Sequence, residues 1–158
     1  MYKDLIFYCH EGAGVNDRTW IMNTATGERW VGFKQKQFSP YRYGETGVHE
    51  YWLADGLHAL TVSGNMFIDA IAFNWGPDHR QREAGIYFFR YDGKDRYLVN
   101  CDYQYSHCAT ALNSNRWLIS DVGIDSANGF TKLVLMDTEA GWSKVIVNHT
   151  KGNNPGHS

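Results

Sequence analysis

Apolar residues along this chain fall into short runs, most of them five to eight residues long, that end at Gly, Asn, Asp or Ser. No stretch sustains the helical spacing of apolar positions, whereas short runs rich in aromatic and β-branched residues are the pattern of strands. The pattern predicts strands at about 4–10, 18–24, 28–34, 48–54, 57–63, 85–91, 95–100, 107–112, 116–121, 131–137 and 142–148. Turn chemistry separates them: "TATGE", "ADG", "YDGKD", "NSN" and "DTEAG" offer the Asp, Asn and Gly residues that tight reversals require.

The strands recur in an order. "HEYWLAD", "HALTVSG", "GIYFFRYDG" and "DRYLVNC" make one four-strand unit, and "SHCATAL", "RWLISDVG", "TKLVLMDTEAG" and "WSKVIVNHT" repeat it. Upstream, "DLIFYCHEG", "RTWIMNTATG" and "ERWVGFKQ" match the last three strands of a unit. Four-stranded meanders recurring at this interval are the signature of β-propeller blades. The boundaries are an incomplete blade over 1–46, blades over 47–104 and 105–150, and the start of a next strand over 151–158. An antiparallel sandwich also has regularly spaced short strands, so pattern alone leaves propeller and sandwich both open. In the propeller, a histidine near the start of each innermost strand (His49, His107, His157) would form a ring of imidazoles at one mouth of the channel. Such a ring can bind metal or move protons.

Composition strengthens the all-β reading. Aromatic residues are 15% of the 158, and 16 Gly stand against 3 Pro. A hydrophobic share of 43% is enough for a core. The net charge of -2 comes from scattered residues, which excludes a nucleic-acid stripe or a basic membrane patch. Three cysteines, Cys9, Cys101 and Cys108, form no CxxC pair, so a reducing compartment is expected. With an apolar run of only four residues near the N-terminus and no membrane-length segment, the expected location is the cytoplasm.

Four segments in order, "CHEG...DRTWIMNTATG", "VHEYWLADG", "SHCATALNSNRWLISDVG" and "LVLMDTEAGWSKVIVNHT" leading to "GHS", resemble the oligogalacturonate lyases. These are pectin-degrading polysaccharide lyases on a seven-bladed propeller, and the likeness spans Cys9 to Ser158. The resemblance implies β-elimination across a uronate glycosidic bond, assisted by a divalent ion, manganese being the usual one. It puts His49 at the position of the catalytic base and Arg18 at that of the arginine that steadies substrate charge. It puts His107, His157 and Asn154 at metal-ligand positions, and His10 near the same mouth as a substrate-binding residue. The chemistry suits these residue types, because a cation beside the uronate carboxylate acidifies the neighbouring proton and an imidazole can remove it near neutral pH.

About three blades are fewer than the four a closed propeller needs, so a homo-oligomer is expected, a dimer giving six blades. A noncatalytic propeller that binds a partner or only assembles is the alternative to the lyase. The segment 65–85, with Trp75, Asp78, His79, Arg80 and Arg82, suits sugar-acid binding as well as a plain insertion. A His/Cys zinc site at His107 and Cys108 is disfavoured, since strand alternation points the two side chains apart. His58, His79 and His149 belong to no constellation.

Overall fold

A computed structural model describes residues 4–9, 17–35, 43–67, 85–103, 105–122 and 131–149. The described residues form strands and turns without a helix, so the chain is all-β. The first sheet holds β1 (Leu5–Cys9), β2 (Thr19–Asn23) and β3 (Arg29–Phe33). The middle sheet holds β4 (Tyr43–Trp52), β5 (His58–Phe67), β6 (Gly85–Arg90) and β7 (Arg96–Asn100). The third holds β8 (Tyr105–Ala111), β9 (Ser114–Val122), β10 (Thr131–Asp137) and β11 (Trp142–His149). Within each sheet the strands lie in chain order and pair antiparallel. None of the described residues belongs to a helix long and apolar enough to cross a membrane.

The sheets stack face to face, and β6 shows why its sequence does not alternate. In "GIYFFR", Ile86 and Phe88 enter a core shared with Leu118, Val122, Val134 and Met136 of the third sheet. Tyr87 and Phe89, on the opposite face, enter a second core with Leu5, Ile21 and Phe33 of the first sheet. A strand covered on both faces is apolar throughout, whereas one with an open face alternates. The edge strand β11 alternates between exposed and half-buried along "WSKVIVN".

Polar ties reinforce both seams. Trp30 Nε1 donates to the Tyr91 carbonyl at 2.7 Å, and the Arg96 guanidinium lies 4.7 Å from the Phe33 ring centroid and 4.9 Å from that of Tyr87. On the other seam, Asn115 Nδ2 donates to Asp55 at 2.8 Å and Ser143 Oγ to Asp102 at 2.7 Å. Arg116 grips the buried carboxylate of Asp137 through Nε and Nη2, fixing the β9–β10 pair at its turn end.

The turn between β6 and β7 ends on Gly93, at φ 71°, where a Cβ would stand 2.5 Å from the Val31 carbonyl oxygen of the first sheet. Left-handed backbone and close approach both demand glycine here. Gly93→Ala is therefore expected to cost about 3 kcal/mol, read as a lower denaturation midpoint in urea.

Candidate functional site

β4 does not run straight past its partner. Val48 pairs with Val62 and Tyr51 with Leu60, so His49 and Glu50 together oppose Thr61, which makes a β-bulge. His49 adopts φ 56°, in the left-handed region that a residue with a Cβ rarely enters. The bulge changes which way the chain looks. A Cβ on Gly47 would point at Thr61 and Phe33, toward the first sheet, and strict alternation would send His49 the same way. The extra residue reverses the phase: Glu50 reaches the first sheet, and the His49 ring meets His107 of the third sheet with centroids 4.2 Å apart.

His107 stands on β8, the edge strand of its sheet, beside a second register shift between Tyr105 and Cys108. Asp121 of β9 holds it twice. One carboxylate oxygen accepts the His107 backbone N–H at 2.6 Å, and the other lies 3.1 Å from Nδ1. An ionised carboxylate can only accept, so this contact is a hydrogen bond when Nδ1 carries the proton.

Glu50 is held from the first sheet: Thr19 Oγ1 donates to one of its oxygens at 2.6 Å and Cys9 Sγ to the other at 3.0 Å. Arg18 directly precedes Thr19, and its charge is felt at His49. Partial burial holds the His49 imidazole below its ordinary pKa, with repulsion from His107 and Arg18 adding to the effect and Glu50 and Asp121 opposing it. The folded protein thus favours a neutral His49, the form that can accept a proton.

Of the residues singled out in the sequence, His49 and His107 come together and Arg18 lies within electrostatic reach of His49. His10, Asn154, His157 and the stretch 68–84, which includes His79, lie outside the described residues. The sequence pattern assigns no role to Asp121, Thr19, Cys9 or Glu50. His58 has a partner after all: its Nδ1 lies 2.7 Å from Asp55. Burial works against the Asp55 carboxylate, but bonds from His58, Leu57 and Asn115 outweigh it and hold its pKa low, as suits a tie between sheets.

Cys108 is buried in the core between the middle and third sheets while His107 is exposed, as alternation requires. Burial, with Asp121 adding to it, pushes the Cys108 thiol up to about 12, which makes it an apolar core group. Among the described residues no group of three or more His, Cys, Asp or Glu is placed to hold a metal ion. Manganese favours a full, largely oxygen shell, and the described part of the expected donor set is one imidazole, His107. These residues alone do not fit that ion.

Compared with protein-family models, with curated proteins and with solved structures, the chain matches none.

Proposed function

We propose that the mouth formed by β2, β4 and β8 is a polysaccharide-lyase-type site for acidic, uronate-containing oligosaccharides. The observation that carries the reading is the meeting of His49 and His107, brought from two sheets to 4.2 Å, with His49 held in a costly backbone conformation and favoured neutral. Strain of that kind concentrates at functional sites. In the proposed reaction neutral His49 takes the proton from C5 of the uronate. The C5–H electrons form a double bond to C4, and the C4–O bond breaks as the glycosidic oxygen leaves and takes up a proton from water. Arg18 faces the negative charge that gathers on the carboxylate side, where a guanidinium fork suits two oxygens.

In this proposal the three sheets are propeller blades with β4 and β8 innermost. A divalent ion, with His107, His157 and Asn154 as its ligands, belongs to it through the family resemblance alone. Metal analysis of the purified protein tests that part, and a metal-free, active protein would remove it. The reading itself is tested with uronate oligomers, by following the absorbance of the unsaturated product ends. Activity no greater than that of His49→Ala would end it.

A noncatalytic, self-assembling module is the second reading, and a specific observation favours assembly in either case. Ile6, Tyr8, Trp20 and Met22 share the face of the first sheet turned away from the middle one. Trp117, Ile119, Leu133 and Leu135 do the same on the third sheet, where Trp142, 40% exposed, meets the Trp117 ring edge to face at 5.9 Å. Both end faces are apolar, like the faces already buried between sheets. Two copies joined head to tail at both ends would give six sheets in a closed ring. Light scattering is expected to give twice the chain mass, and Trp142→Asp to lower it; a strictly monomeric parent protein would contradict the assembly.

A further inference from the structure

We propose that Glu50 is the positioning residue of this site, fixing His49 through the bulge they share while itself tied to a sheet that carries neither histidine of the pair. The inference rests on His49 being the proton acceptor of the proposed reaction.

The geometry has three parts. His49 and Glu50 are the two residues that oppose Thr61, so they share the peptide unit on which the bulge turns. Glu50 sits half-buried, and each of its carboxylate oxygens accepts a hydrogen bond from the first sheet, from Thr19 Oγ1 at 2.6 Å and from Cys9 Sγ at 3.0 Å. Thr19 is fully buried at the start of β2, so the stronger of the two anchors cannot drift. A charged acceptor with a short hydroxyl donor is among the stronger hydrogen bonds a protein makes. The left-handed backbone at His49 persists only if its surroundings over-determine it, and the Glu50 tether supplies that determination.

Without the tether, β4 can relax to regular alternation, which turns His49 toward the first sheet and away from His107. Glu50 therefore acts on the imidazole through the backbone as well as through its charge, and the order of anchoring runs from Thr19 to Glu50 to His49; Thr19→Val, which keeps the Glu50 charge, isolates the backbone part.

The test uses the full chain with Thr19→Val, which removes the hydroxyl at nearly constant shape, Thr19→Ser, which restores it, and Glu50→Gln, which keeps the side-chain length. The readouts are the imidazole NMR signals of His49, His107 and His58, and kcat and KM on uronate oligomers. Thr19→Val and Glu50→Gln are expected to move the His49 and His107 signals together and leave His58 in place. They are also expected to lower kcat about 10- to 100-fold with little change in KM, as for a small misplacement of a reacting group. Thr19→Ser is expected to recover both. Unmoved His49 and His107 signals in a folded Thr19→Val or Glu50→Gln protein would overturn the proposal, as would displaced signals with kcat unchanged in an active protein. Displaced signals in a protein whose parent form cleaves no uronate would uphold the tether and remove the lyase reading instead.

Discussion

Phe89→Ala is expected to remove a large share of this protein's stability at room temperature. Phe89 is fully buried on β6, and its ring sits 5.6 Å from that of Phe33, edge to face, at the centre of the seam between the first and middle sheets. Removing a buried phenyl ring costs about 3–5 kcal/mol, because lost transfer energy and the cavity left behind add. The whole stability of a domain of this size is about 5–15 kcal/mol. Neighbours offer little relief: Ala59 and Tyr87 share the cluster, and the β6 backbone is held by strands on both sides. Urea denaturation followed by tryptophan fluorescence would read the effect, with Phe89→Leu expected to lose less than half as much. A cost below about 1 kcal/mol for Phe89→Ala would mean that the first sheet does not pack on the middle one as described.

At the site, His49→Ala is expected to lower kcat on uronate oligomers by about 10²- to 10⁴-fold, the usual contribution of a positioned general base. The same substitution carries a stability signature that separates geometry from chemistry. Because φ at His49 is 56°, His49→Gly is expected to be about 1 kcal/mol more stable than His49→Ala while being equally inactive. Stability then differs between two variants of equal activity, which separates the backbone strain at this position from the chemistry of the imidazole. An alanine variant as active as the parent would remove His49 from the chemistry. A glycine variant no more stable than the alanine one would mean that the left-handed backbone is not populated in solution.

The strands were legible in the sequence because the information is local. The predicted run at 131–137 is β10 residue for residue, and the glycines that end the turns after β2, β4, β6 and β10 all sit in segments chosen for their turn chemistry. The longest misreading is at β4, which begins at Tyr43 and not near residue 48. "YGETG" carries two glycines and a glutamate, so it gives little strand signal, and its extension comes from pairing with the far half of β5.

Asp121 shows why the rest of the site was not legible. Counting outward from the turn, where Ala111 pairs with Ser114, would set His107 opposite Leu118. Register shifts on β8 move the pairing, so that Ser106 and His107 face Asp121 instead. Thr19 and Cys9 were invisible as partners of Glu50 for a related reason, since they are 31 and 41 positions away and meet it only once the first sheet lies on the middle one.

By itself the sequence determined the all-β class, the strand and turn order, and the choice of His49, His107 and Arg18 as residues to watch. The alternation of side chains and the demands of tight turns act within a few residues, so they can be read one segment at a time. Only the tertiary structure decided that the bulge opposite Thr61 turns His49 to His107 and Glu50 to Thr19. A bulge is a property of two strands and its tether belongs to a third element, and such contacts exist only after the sheets have stacked.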